Sequence, residues 1–314
     1  MRGERTSRRP ILLVVNPVSG GKLGSGPGFS DDPDELQPRA LEAALAKRGL
    51  DVRLHELGES DDLVKLAGDA AKDGHDVVIA GGDGTVGVVA AALVRTDATL
   101  GILAMGSYNN VAHGFGVPTD LQPALDAIRA GRVALMDAGL ATSAGADADG
   151  QLFFEAAGVG LDASGFKAVE MVETRGWGSW WPALRSVWRG LRRRKTAIRL
   201  TLDGKRYRTR APSISICNGP YHGLGFAVTP DADPTDGQLD VAIFRRMTQL
   251  EVLRHFLAVA RHQREPEPRL HHRQAAEIRV EAVRGTLPVH ADGVSIGTTP
   301  VTVTVQPGAL RIFR

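Results

Sequence analysis

Three runs of consecutive apolar residues, each stopped by turn-forming residues, organise the first half of the chain. Ile11-Leu12-Leu13-Val14-Val15 ends at Asn16-Pro17-Val18-Ser19-Gly20-Gly21, Val77-Val78-Ile79-Ala80 ends at Gly81-Gly82, and Leu100 to Ala104 ends at Met105-Gly106-Ser107. Short apolar runs without polar alternation fit strands buried on both faces, as in a parallel sheet. Val52 to Leu54 supplies a shorter strand. Between these segments Leu36–Leu45, Leu63–Ala71 and Val86–Leu93 repeat apolar residues at helical spacing. Strands alternating with helices predict an α/β, doubly wound, mostly parallel sheet.

After about Asp137 the rhythm changes. Val133–Leu135, Leu152–Ala156, Ile198–Leu202, Ser213–Cys217, Leu239–Phe244, Ile278–Val280 and Val301–Val305 read as short strands with few helices between them. The expected organisation is an α/β domain over residues 1–137 followed by a β-rich, sandwich-like domain over 138–314, with room for the last strand to return toward the first. The opening MRGERTSRRP reads as a tail and Gly24–Pro33 as a loop.

Composition narrows the class. The 314 residues, at ~150 per domain, fit two domains. Lys and Arg total 38 against 36 Asp and Glu, for a net charge of +2, and 43% of residues are hydrophobic. A disordered chain and a strongly basic nucleic-acid binder are thereby excluded. No apolar run approaches the ~18 residues of a membrane span, and Ile11–Val15 is too short for a signal-peptide core. The single cysteine, Cys217, leaves no internal disulfide or multi-cysteine zinc site. Its apolar strand predicts a buried, inert thiol. The expectation is a soluble cytoplasmic protein.

The sharpest local signal is Gly81-Gly82-Asp83-Gly84-Thr85, between a buried strand and a helix. Glycines let main-chain N–H groups approach a phosphate, and a helix N-terminus adds the positive end of its dipole. A carboxylate facing phosphates is repelled unless a cation intervenes or it takes a proton from a nucleophile. Asp83 is therefore expected to be a Mg²⁺ partner or a general base, the alternative being a helix cap alone. Two more loops follow predicted strands: Asn16-Pro17-Val18-Ser19-Gly20-Gly21-Lys22 and Gly106-Ser107-Tyr108-Asn109-Asn110. Ligands bind α/β sheets at the carboxyl ends of their strands, so the three loops form one candidate constellation. No Walker-type Gly-Lys-Ser/Thr ending is present.

With those loops the chain resembles the bacterial diacylglycerol kinase family, which shares its catalytic fold with sphingosine kinases. The resemblance rests on Asn16–Gly20, Gly81–Thr85, Gly106–Asn110 with Ala112, Asp137 with Gly139, Asn218, Gly223–Phe226, Asp236–Asp240 and Asp292-Gly293. It implies ATP bound between two domains, Mg²⁺, and phosphoryl transfer to a lipid hydroxyl. Nucleotide contacts would fall to Asn16, Pro17, Ser19, Gly20, Gly81, Gly82, Gly84, Thr85, Gly106, Ser107, Asn109 and Asn110, and catalysis to Asp83 and Asp292. Val88 and Val294 stand where the family carries glutamates, and valine neither ligates a metal nor accepts a proton. Ser107 and Asn110 replace threonine and aspartate but keep hydrogen-bonding capacity.

Pro230–Asp240 carries Asp231, Asp233, Asp236 and Asp240 around Gly237, without the ligand spacing of an EF-hand. The resemblance implies a structural Mg²⁺ on the Asp236 carboxylate and the carbonyls of Asp233 and Gln238. An Asp/Gly turn between strands is the other reading. All four tryptophans, Trp177, Trp180, Trp181 and Trp188, are interleaved with arginines including Arg192 and Arg193. That mixture suits a helix at an anionic membrane surface, or aromatic cover for a core. His271, His272 and His290 lack partners at metal-ligand spacing.

The combined expectation is a kinase using ATP and Mg²⁺ on a diacylglycerol-like lipid, peripheral to the inner face of the membrane, with no nucleic-acid partner and homodimerisation left open. A catalytically impaired nucleotide- or lipid-binding protein of the same fold, or an NAD-kinase-like small-molecule kinase, are the alternatives.

Overall fold

The computed structural model describes residues 5–6, 9–17, 33–144, 149–160, 196–223, 225–248, 250–252, 254 and 269–314. The chain divides into two compact units, residues 1–137 with 308–314, and residues 138–307.

The first unit is built on β1 (Ile11–Val15), β2 (Val52–Glu56), β3 (Asp76–Gly81) and β4 (Thr99–Ala104), all parallel and ordered β2-β1-β3-β4. Every residue of β1, β3 and β4 is buried, as the uninterrupted apolar runs predict. The crossovers contain α1 (Pro38–Ala46), α2 (Leu63–Lys72) and α3 (Asp83–Leu93). Asp62 caps α2 by accepting the Lys65 N–H at 2.9 Å. Two further helices, α4 (Asn110–Gly114) and α5 (Leu121–Ala130), follow β4, and α5 ends on Gly131 at φ 66. Leu13, Leu41, Leu45, Val78, Leu103 and Leu125 centre the core on one face of the sheet. The chain's last residues add a fifth parallel strand, with Arg311 opposite Thr99. The buried Asp137 carboxylate holds their start by accepting the Gly308 N–H at 2.6 Å.

The second unit contains β6 (Gln151–Phe153), β7 (Ala156–Gly160), β8 (Thr196–Leu202), β9 (Lys205–Ala211), β10 (Ser213–Cys217), β11 (Leu239–Phe244), β12 (Leu270–Ala275), β13 (Glu277–Ala282) and β14 (Pro288–Ala291). Two long strands, β5 (Arg132–Ala144) and β15 (Val294–Phe313), carry the chain into and out of it. Pairing is antiparallel, in the orders β12-β11-β10-β7-β14-β15 and β9-β8-β13-β15. Inward residues of both rows, among them Val159, Leu200, Ile216, Val241, Ile278 and Val303, make one buried cluster. Gly139 of β5 lies against Phe153, where a Cβ would come within 2.0 Å of the ring. Cys217 is buried.

The stretch Leu152–Ala156, expected as one strand, is two. The break at Phe154-Glu155 has a direct cause: the amides of Phe154 and Glu155 donate to the Asp292 carboxylate instead of a strand ladder, as does that of Ala156 where β7 begins. Among the described residues no helix is long and apolar enough to cross a membrane.

Candidate functional site

At the carboxyl ends of β1, β3 and β4 the three turns are joined by short polar contacts. The Asn16 amide donates to Ala80 O at 3.0 Å, and its Nδ2 donates to Thr85 Oγ1 at 2.9 Å, tying the end of β1 to the first turn of α3. Met105 N–H donates to Gly81 O at 2.9 Å. Gly82 and Gly106 then meet backbone to backbone. A Cβ on Gly106 would lie 2.8 Å from Gly82 Cα and 2.9 Å from Asn109 Oδ1, so no larger residue fits without displacing the turn. Asn109, at φ 51, closes its own loop by accepting Gly106 N–H at 2.8 Å and donating to Gly106 O at 3.0 Å. Asparagine tolerates this left-handed backbone better than most residues.

Asp83 sits where these turns meet, yet it does not cap its own helix: it is the first residue of α3, whose N-cap is Gly82, with no side-chain cap. Its Oδ1 accepts the Val111 N–H at 3.1 Å, and the amides of Asn110 and Asn109 also favour its ionised form. The carboxylate thus braces the start of α4. Burial pushes its pKa above the ordinary carboxylate value, and the amides and nearby His113 oppose that rise only in part. Main-chain N–H groups in the first turn of α3 have no partners within the helix and lie at the positive end of its dipole. Asn16, Pro17, Gly81, Gly82, Gly84, Thr85, Gly106, Ser107, Asn109 and Asn110 are therefore gathered at one sheet edge. Ser107 and Tyr108 are exposed, and Asn110 is buried. Ser19 and Gly20 lie outside the described residues.

Gly106→Ala is expected to lower stability by about 2 kcal/mol, the usual scale of forced overpacking. Gly84→Ala, at a position where a Cβ meets nothing within 4 Å, should be neutral or slightly stabilising. Thermal melts of the two variants check this. Equal melting temperatures would show that the backbone approach is not needed.

In the second unit a separate cluster forms around Phe154–Ala156. Asp292 follows β14 at φ 43 and precedes Gly293 at φ 81, so the turn turns sharply and points its carboxylate at the three amides at 2.7 to 3.0 Å. Asp292 N–H returns a bond to Ala156 O at 3.0 Å. Asn218 Nδ2 donates to Phe154 O at 3.2 Å, and Gly223 N–H donates to the Glu155 carboxylate at 3.0 Å. Asn218, Gly223 and Asp292-Gly293, scattered in sequence, thus meet on one segment. Burial raises the Asp292 pKa to about 6, against the pull of the three amides and of His290. Glu155, which nothing in its apolar neighbourhood singles out, joins the cluster through that Gly223 bond. His290, set aside on sequence, is buried beside Asp292, and its Nδ1 accepts Gly293 N–H at 3.3 Å.

The acidic turn is built from local capping bonds. Asp233 Oδ1 accepts the Thr235 amide and hydroxyl at 3.0 and 2.7 Å, and Asp236 Oδ1 accepts Gln238 N–H at 2.8 Å. Gln274 Nε2 donates to Asp236 at 3.2 Å and to Asp240 at 3.4 Å. Burial raises the Asp240 pKa, and the charges of Asp236 and Asp231 raise it further. Among the described residues no three His, Cys, Asp or Glu side chains come together as metal ligands. Trp177, Trp180, Trp181, Trp188, Arg192 and Arg193 lie outside the described residues.

Comparison with known proteins gives consistent matches along the chain. Residues 10–141 match the diacylglycerol kinase catalytic domain, and residues 156–314 match the YegS C-terminal NAD kinase beta sandwich-like domain. A diacylglycerol kinase of Mycobacterium tuberculosis (strain CDC 1551 / Oshkosh) is 28% identical over 283 residues, covering 87% of each chain. A Pseudomonas fluorescens protein named "Probable lipid kinase YegS-like" is 28% identical over 284 residues, covering 87% of this chain and 89% of its own. The crystal structure of a diacylglycerol kinase from Bacillus anthracis str. Sterne shares the fold, with a TM-score of 0.70 at 21% identity over 98% of this chain and 97% of that one. The family of kinases to which the two domain matches assign the chain is that of the diacylglycerol kinases and YegS-like lipid kinases.

Proposed function

We propose that the chain is an ATP-dependent lipid kinase that transfers the γ-phosphoryl group to the hydroxyl of a diacylglycerol-like lipid. The observation that carries this reading is the meeting of Gly82, Asp83 and Gly106, where side-chain-free backbone and a carboxylate share one sheet edge. Side-chain-free backbone admits a polyphosphate to the amides of α3's first turn, and those amides suit the charge on a transferring phosphoryl group. Asp83, with its pKa raised by burial, would take the proton from the attacking hydroxyl. Asn16 would hold Thr85 and the first turn of α3 in place. Mg²⁺ would offset the phosphate charge, and a structural Mg²⁺ would use the Asp236 carboxylate with the carbonyls of Asp233 and Gln238. The crowding of Asp231 and Asp236 on Asp240 fits a cation at that turn. Asp292 would act by fixing Phe154–Ala156, since three amides already occupy its carboxylate.

A second reading, a binding protein with little turnover, is favoured by one feature. Val88 and Val294, at the positions of two family glutamates, are 39% and 54% exposed, so neither valine is held there by core packing. Incubating the protein with labelled ATP, Mg²⁺ and a panel of lipids is expected to label a diacylglycerol. The same assay on Val294→Glu separates the readings. A gain beyond tenfold would mark the natural chain as impaired, whereas no gain beside ready labelling would mean that another acid serves. No labelled lipid from either protein would reject the kinase reading.

A further inference from the structure

Between the edge strands β9 and β12 lies a groove of about 220 Å³ with Leu200, Leu202 and Ile243 as its floor. Strand alternation places the wall residues. Tyr207 and Thr209 share the face of β9 that ends in buried Ala211, and His271 and Arg273 share the face of β12 that ends in buried Ala275. Arg245 continues the Val241–Ile243 face of β11, and Arg208 also lines the groove. At this edge, core-facing positions change from apolar to polar and cationic.

One inward charge suffices to stop an edge strand from pairing with another sheet. Two arginines at core-facing positions, Arg245 and Arg273, with Arg208 reaching the groove's rim from the outer face of β9, exceed that need and repel one another. Among the described residues no carboxylate forms an ion pair with Arg208, Arg245 or Arg273. Among the described residues the Thr209 hydroxyl, in the same wall, is buried without a hydrogen-bond partner, an arrangement that costs free energy unless a ligand or water satisfies it.

We propose that this groove binds the headgroup of a phosphate-bearing lipid held in a bilayer, with the arginines on the phosphate and the first methylenes of the chain on Leu200, Leu202 and Ile243. A phosphate accepts from several guanidinium groups and from a hydroxyl at once, which answers both the crowded cations and the Thr209 oxygen. The apolar floor calls for alkyl groups, which neither free phosphate nor a nucleic-acid backbone supplies. The volume falls below the ~300–1,000 Å³ of sites that enclose a whole small molecule, so most of the lipid stays in the bilayer. Exposed Arg206 and Arg210 on the outer face of β9 add to the attraction toward an anionic surface. A neutral diacylglycerol-like acceptor has no charge to match, so this site is distinct from an acceptor site. The choice of a lipid ligand rests on the lipid-kinase reading.

The test uses the full chain without ATP and follows its partition onto phosphatidylcholine vesicles with and without phosphatidic acid. Binding is expected only with phosphatidic acid. The double variant Arg245→Gln/Arg273→Gln should lose at least tenfold more affinity than Arg206→Gln/Arg210→Gln, which removes the same charge outside the groove. Thermal melts of both variants confirm folding. Short-chain phosphatidic acid should displace the protein from vesicles at concentrations where inorganic phosphate and duplex DNA do not. Equal losses in the two variants, equal displacement by phosphate or by DNA, or no binding at all would overturn the proposal. A chain that binds in this way but phosphorylates no lipid would leave it standing and reject the kinase reading, and turnover without such binding would do the reverse.

Discussion

Asp83→Asn is expected to reduce lipid phosphorylation by between 10²- and 10⁴-fold, the usual range for losing a general base, with little change in melting temperature. Asparagine keeps an oxygen that can accept the Val111 N–H now bound to Oδ1 at 3.1 Å, so the brace between the glycine loop and α4 survives. It loses the charge and the ability to take a proton. Partial burial makes the carboxylate a stronger base than an exposed one, because desolvation raises its pKa more than the amides and His113 lower it. Steady-state kinetics also separates its two candidate roles. A base acting in the transition state should give a fall in kcat with KM for ATP nearly unchanged. A Mg²⁺ partner should instead shift the Mg²⁺ concentration needed for half-maximal rate. Turnover within threefold of the natural chain would remove Asp83 from the chemistry altogether.

What could be read from sequence depended on how each segment is buried. Ile11–Val15, Val77–Ala80 and Leu100–Ala104 are strands because both their faces are covered, and that leaves an uninterrupted apolar run. Ser213–Cys217 and Leu239–Phe244 are observed with the expected limits for the same reason. β9 and β12, whose sequences are KRYRTRA and LHHRQA, lie at the edges of their rows, the first mostly and the second half exposed, so they carry no hydrophobic signature. Helix α5 was not anticipated either, although Leu121, Leu125 and Ile128 repeat at helical spacing on its buried face. The glycine-aspartate turn was legible because its residue types are unusual between a strand and a helix. That Asp83 would brace the next helix rather than its own was not, because the Asp83–Val111 bond joins residues 28 apart. The meeting of Asp292 with Phe154–Ala156 spans still more of the chain and leaves only a broken strand as a trace.

That meeting gives the second large expectation. Asp292→Ala should destabilise the protein by about 3 kcal/mol at neutral pH, because three amides lose their acceptor and alanine must adopt the left-handed backbone at φ 43. Asp292→Asn tolerates that backbone and keeps one acceptor oxygen, so its cost at neutral pH should be within about 1 kcal/mol. The natural chain and Asp292→Asn differ in pH dependence. Burial raises the native pKa to about 6 from an ordinary 3.8, so the folded protein holds this proton more tightly than the unfolded chain does. The group's contribution to stability is then full below about pH 4 and is lost as pH rises through 6, by roughly 3 kcal/mol for a shift of two units. Asparagine cannot titrate, so unfolding free energies from denaturant melts should fall less steeply between pH 4 and 6 in Asp292→Asn than in the natural chain. Parallel pH profiles would mean that the carboxylate is not buried as described. A melting temperature for Asp292→Ala equal to that of the natural chain would mean that the three amides find water instead. In either case Asp292 would no longer account for the strand break at Phe154-Glu155.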